Sequence, residues 1–189
     1  MSRARRLLAS ALIVVVLTGA CSSSGSSGGS GASAAGTGDK AGSDIPGVVF
    51  ERAPGRSHRQ GTIDYPGKLP PSGGNHNPVP LTCGYYDQQP PNEFAVHSLE
   101  HGAVWIAYGP TVAAADVAVL RALAKQDHVL VTPYAGMDTP ITLVAWEHRL
   151  ELTSATDARI QQFINTFANG PSAPERGAAC AGTGQPLAP

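Results

Sequence analysis

Charge is scarce in this chain. Asp, Glu, Lys and Arg together make up 14% of the residues, the formal net charge is −1, and no basic run breaks the pattern. Nucleic acid is therefore not an expected partner, since phosphate binding draws on clustered Lys and Arg. Cysteine is nearly absent, with three residues, and methionine contributes two, one of them the initiator. A soft thioether-rich metal site has almost nothing to draw on, because Met137 is the single internal thioether. After Leu17 no apolar run is long enough to span a bilayer. Aromatics are few (6%), whereas 22 glycines and 16 prolines mark a chain rich in ordered loop.

The first twenty residues read as an export signal. Arg3, Arg5 and Arg6 form a cationic head, Leu7 to Leu17 an apolar stretch too short for a comfortable span, and Thr18-Gly19-Ala20 a small-residue end. The cysteine that follows, Cys21, with Ser22-Ser23-Ser24-Gly25 behind it, resembles a bacterial lipoprotein signal, which implies a lipidated Cys21 and a membrane-anchored, extracytoplasmic protein. Loss of residues 1–20 removes three arginines and no acid, which deepens the formal charge to about −4. Residues 21–44 are Ser, Gly, Ala and Thr with almost nothing to bury, the composition of a flexible tether.

With Cys21 assigned to lipid, Cys83 and Cys180 remain. In an oxidising compartment a disulfide between them is the simple expectation, and two thiolate metal ligands the alternative. Residues 45–182 have the length of one domain, with 183–189 as a tail. From Pro46 to Asn92 the density of Pro, Gly and polar residues predicts ordered loop with short extended pieces. Beyond it, Ala103 to Tyr108 reads as a buried strand and Ala113 to Gln126 as a helix with Thr111 as N-cap. Val129 to Thr132 reads as a second strand, Ile141 through Trp146 and on to Leu152 as a third, and Thr156 or Asp157 to Phe167 as a helix stopped by Asn169-Gly170-Pro171. The expectation is an α+β fold: a loop-rich N-terminal half, then a small sheet in β-α-β-β-α order with both helices on one face.

Chemistry concentrates in Val96-His97-Ser98-Leu99-Glu100-His101-Gly102 and, upstream, Pro70-Pro71-Ser72-Gly73-Gly74-Asn75-His76. Half of the six histidines fall between positions 76 and 101. His97 and His101, four apart, share a side of the backbone in either a helix or a strand. Imidazole nitrogen and carboxylate oxygen suit zinc and copper, and a Gly-rich approach lets backbone come close. The expected ligands are His76, His97 and His101, with Glu100 or His58 as a fourth or supporting group and Glu93 as a partner for a far ring nitrogen. A hydrogen-bonded network that merely orders the loops is the competing expectation, and for His58 alone it is the preferred one. His128 and His148 are expected at strand edges, in solvent.

These residues carry a resemblance. Tyr65 through His76, then Cys83-Gly84-Tyr85-Tyr86, Glu93, Val96 through Val104, Tyr108 and Leu143-Val144-Ala145-Trp146 resemble the signature of the bacterial DUF3105 family from about His58 to Trp146. Two departures stand out: Gly74-Asn75 occupies a place where the family tends to have one residue, and His148 follows the tryptophan where glycine is common. The resemblance implies a fold and an exported location more than an activity; Tyr85 is counted with His58, Glu93 and Glu100 as a possible ligand or supporting group.

The residues thus point to a lipid-anchored domain that binds or handles copper or zinc, not primarily an enzyme. A metal-dependent hydrolase or oxidase on the same histidines, with Glu100 as base, is the alternative, and a non-enzymatic envelope protein with a structural polar motif the second alternative. His97 to His101 also spells His-x-x-Glu-His, the inverted zinc-peptidase pattern, which requires a helix and a third ligand from downstream.

Overall fold

A computed structural model describes residues 44–187, and the expected signal, Cys21 and nearly all of the tether lie outside the described residues. Among the described residues, six short strands and three helices follow one another as β1 (Val49–Phe50), β2 (Gly84–Tyr85), α1 (Asn92–Glu100), β3 (Val104–Tyr108), α2 (Ala114–Leu123), β4 (Val129–Pro133), β5 (Ile141–Ala145), β6 (His148–Leu152) and α3 (Arg159–Phe167). The strands form one mixed sheet in the order β1-β6-β5-β3-β4-β2. β3 and β4 pair in parallel across the α2 crossover, whereas β3, β5, β6 and β1 pair antiparallel. The fold is α+β, as the periodicity predicts.

Every residue of β3 is buried, because the sheet is covered on both faces. Val104 and Ile106 point to one side, where Leu120 of α2 and Ile160, Phe163, Ile164 and Phe167 of α3 complete an apolar layer. Trp105 and Ala107 point to the other, where Ala95, Val96 and Leu99 of α1 meet Leu130 and Val144. The two anticipated helices do share a face. The opposite face is closed by α1, whose residues the sequence left open between helix and strand, and by the loop-rich half.

Three local expectations are corrected. The third strand is a hairpin, β5 and β6, turned at Trp146-Glu147 with Glu147 at φ 61°. Thr111 does not cap α2, which starts at Ala114 behind Ala113 without a side-chain cap. His128 and His148 are buried, not solvated. His148 lies in β6 between Ala145 of β5 and Phe50 of β1, its ring 4.6 Å from that of Phe167. His128 is covered by the C-terminal segment, with Nε2 3.0 Å from the Ala178 carbonyl oxygen. The pieces that cover them come from both ends of the chain, which local periodicity does not register.

Cys83 and Cys180 are joined, their Cα atoms 5.4 Å apart across 97 positions of sequence. The bridge binds the C-terminal segment to the edge at β2, helped by Cys83 N–H donating to the Cys180 carbonyl and Thr82 N–H to that of Thr183. Residues of the expected tail also dock, since Leu187 N–H donates to the Tyr85 carbonyl. Closing a loop of this length restricts the unfolded chain strongly, so Cys83→Ser/Cys180→Ser should cost about 3–5 kcal/mol. Urea titration of the double variant against the oxidised wild type measures it, and equal midpoints would contradict the anchoring role.

Candidate metal centre

The site is assembled where the loop-rich half meets the C-terminal end of α1. The helix starts behind Pro90-Pro91, with Pro91 extended as N-cap and Glu93 in the positively polarised first turn. It ends in a tight motif: Gly102 N–H donates to the Leu99 carbonyl and Ala103 N–H to that of Ser98. Gly102 sits at φ 95°, and a Cβ there would come 2.9 Å from Cα of Asn169, whose N–H donates to the Gly102 carbonyl. Glycine is therefore needed both for the turn and for its docking against the end of α3. The stop leaves His97 and Glu100 on the final turn and His101 as the C-cap.

The loop histidines arrive by backbone pairing. His76 N–H donates to the Ser57 carbonyl and Arg59 N–H to that of His76, a parallel bridge that sets His58 beside His76. Tyr65 Oη donates to the Asn75 carbonyl at 2.6 Å and Asn75 Oδ1 accepts from Ser57 N–H. Trp146 stands edge-on to the His76 ring at 6.0 Å. Asn77 ties this loop to α1, donating its N–H to the Glu93 carbonyl.

Two overlapping groups result. In the first, donor atoms of His58, His76, His97 and Glu100 all lie within 4.8 Å of one another; in the second, those of His97, His101 and Glu175 do. His76, His97 and Glu100 are buried, whereas the His58 side chain is 47% exposed. His101 therefore groups with Glu175 and shares only His97 with the set around His76. His58 joins the inner set, where the sequence alone favoured a structural role.

Three of the rings are oriented the same way. Nδ1 of His76, His97 and His101 lies 2.8, 2.6 and 2.8 Å from the carbonyl oxygens of Gly74, Asn77 and Ala179. A carbonyl can only accept, so Nδ1 carries the proton and Nε2 of the neutral ring presents a lone pair. Backbone carbonyls, not Glu93 or Glu100, thus hold the far nitrogens. At His76 the consequence is sharp: Nε2 lies 2.8 Å from Glu100 Oε2, yet this buried atom has no hydrogen-bond partner. Two buried polar groups stand in close contact there without a hydrogen bond between them. The other ion-pair contact of Glu100 is His58 Nε2 at 3.6 Å. A buried carboxylate at the negative end of a helix is costly without a cation, on both desolvation and dipole grounds.

The remaining expected residues serve elsewhere. Glu93 is buried and its Oε1 accepts from Ile63 N–H at 2.7 Å, fixing the loop that follows His58. Tyr85 lies on the opposite face of the sheet, its hydroxyl 3.1 Å from that of Tyr108 and its ring under Arg121. Glu175 was missed by the sequence reading. Its signal was Cys180: a bridge back to Cys83 returns the preceding residues to the body of the domain. A cavity of about 300 Å³ lies behind the Gly73–Asn75 loop, lined by Glu51, Asp64, Lys68 and Arg149 among others, and by none of the grouped histidines.

An α+β domain with a histidine-carboxylate cluster between its loop half and its sheet half is the class these features define. Residues 57–182 match the family described as protein of unknown function DUF3105, and the chain belongs to that family. Neither a curated protein nor a solved structure matches it.

Burial lowers the pKa of His97 to about 4; the Asn77 carbonyl opposes the shift, and the neighbouring His76, His101 and His58 add to it. The metal-free ring therefore keeps its lone pair at neutral pH. Unfolded, His97 would take a proton below about 6.5, so between that pH and about 4 the unfolded chain binds more protons and folding weakens. This group should remove up to about 3 kcal/mol of stability from the metal-free protein as pH falls through that window, with no effect above it. Urea titrations at pH 7, 5.5 and 4 should show a steeper loss for wild type than for His97→Gln; parallel losses would contradict the buried neutral ring.

Proposed function

We propose that this chain is an exported, lipid-anchored domain that binds copper or zinc through His58, His76, His97 and Glu100, in a holding or handling role. The observation that carries the reading is the His76-Glu100 contact, two buried groups 2.8 Å apart with no hydrogen bond between them. A cation there would satisfy both. Three imidazoles and one carboxylate are a donor set suited to Zn(II) and Cu(II), and the order of intrinsic affinities favours Cu(II). The carbonyls behind His76 and His97 supply the outer hydrogen bonds that metal-binding histidines ordinarily make. Tetrahedral ligation needs donor atoms about 3.3 Å apart, so the His76–Glu100 pair at 2.8 Å would open slightly while the wider separations, up to 4.8 Å, would close. The Cys83–Cys180 bridge supports an oxidising, extracytoplasmic location. The basic-apolar-small pattern ending at Cys21 supports the anchor.

A metal-dependent hydrolase has one observation in its favour. His97 and His101 of the His-x-x-Glu-His box meet a downstream carboxylate, Glu175, which is the donor set of the inverted zinc peptidases. Against it, Glu175 stands in a turn after α3, not on a helix. None of the grouped histidines lines the neighbouring cavity, which favours holding an ion over working on a bound substrate.

Chelator-competition titration with Cu(II) and Zn(II) tests the proposal. Wild type should bind one ion, and His97→Ala should weaken binding by at least about 100-fold while circular dichroism stays native, since removing even an outer-shell partner costs 10–100-fold. Tyr85→Phe, on the other face of the sheet, should bind as wild type. Equal affinity for wild type and His97→Ala would contradict the site.

A further inference from the structure

We infer that His97, His101 and Glu175 form an outer loading position, from which an ion passes to the buried set through the shared His97. The inference rests on the metal-binding reading and adds a second position and an order of events. Its first support is that the same ring belongs to both groups, with all donor atoms of each group within 4.8 Å. His97 Nδ1 is committed to the Asn77 carbonyl at 2.6 Å, so only Nε2 is available. One lone pair cannot serve two ions, so the two positions are alternatives and the domain holds one ion at a time.

The second support is the contrast between the two positions. The Glu175 side chain is 50% exposed and that of His101 13%, while His76 is fully buried and the Glu100 side chain 5% exposed. His101 is nonetheless built for ligation: its Nδ1 is held by the Ala179 carbonyl at 2.8 Å and its Nε2 faces Glu175 Oε2 at 3.3 Å. The outer set offers two imidazoles and one flexible carboxylate, with room for water to complete the shell. The inner set offers three imidazoles and a carboxylate with little water. A hydrated ion gains by losing its waters in stages, and the donor count makes the inner position the tighter one.

The transfer is a ligand exchange with no redox step. The bond to His97 Nε2 is kept, the His101 nitrogen and Glu175 oxygen leave, and His76, His58 and Glu100 take their places. Glu175 N–H donates to the Glu100 carbonyl, so the two carboxylate-bearing residues are joined by backbone across the exchange path. His58, itself half exposed, is the competing approach to the inner set.

Stopped-flow mixing of the metal-free full domain with one equivalent of Cu(II) distinguishes the routes. Glu175→Gln should load about 10-fold more slowly than wild type, by analogy with the 10–100-fold cost of removing a group that supports a metal, and should reach the same final spectrum and affinity. Excess Cu(II) should leave wild type at one tightly bound ion per chain. A wild-type loading rate in Glu175→Gln would overturn the loading role and leave the inner site standing, and would assign the approach to His58. A second tight ion would overturn the sharing of His97. Failure of wild type to bind any ion would overturn the metal-binding reading itself, a result separate from the other two.

Discussion

Three backbone carbonyls, those of Gly74, Asn77 and Ala179, decide what the histidines of this domain can do. Each accepts a hydrogen bond from Nδ1 of one ring and so leaves Nε2 as the nitrogen open to a further partner. Without that constraint three clustered imidazoles are flexible donors and acceptors that water satisfies. With it they are a preoriented set of lone pairs, and the burial of His76 and His97 keeps solvent from neutralising the arrangement. The loop conformations, the bridge between His58 and His76 and the docking of the C-terminal segment all serve to place those three oxygens.

The rest of the fold supplies rigidity for that placement. The buried strand β3 and its neighbours give α1 a face to pack on, and the Gly102 turn, pressed against Asn169, fixes where the helix stops. A one-residue shift of that stop would rotate His97 and Glu100 off the loop histidines by about 100° around the helix axis. Hairpin β5–β6 contributes from the other side. Glu147 at its tip accepts Ala53 N–H with its side chain, takes Glu51 N–H on its carbonyl and donates its own N–H to Ser72, so the Pro/Gly-rich half is held by a regular element. Arg149, on the same hairpin, pairs with Glu51 and donates to the Pro70 carbonyl, tying down the strand-to-loop passage that leads to His76.

Much of this was legible from residue order. The continuous apolar run Ala103–Tyr108 and the apolar face of Ile160, Phe163, Ile164 and Phe167 marked a buried strand and α3, because the run reports burial on both faces and the helix face burial against one layer. The i, i+4 spacing of His97 and His101 put them on one side of the chain but could not choose between helix and strand, since both periods satisfy it. His58 was ranked with the bland residues because its approach to His76 depends on two backbone hydrogen bonds across 18 positions, a pairing without a hydrophobic pattern. His101 and Glu175 were separated from the inner set by the direction of a ring, which the Ala179 carbonyl fixes from the far end of the chain. The disulfide was legible by elimination, and its consequence for Glu175 was not drawn from it.

X-ray absorption at the metal edge of the protein loaded with one equivalent of Cu(II) or Zn(II) tests the central claim most directly. The account predicts a shell of three imidazole nitrogens and one carboxylate oxygen at about 2.0–2.2 Å, with multiple-scattering features of histidine and no sulfur. A shell dominated by water oxygen, a single imidazole, or sulfur at about 2.3 Å would contradict it.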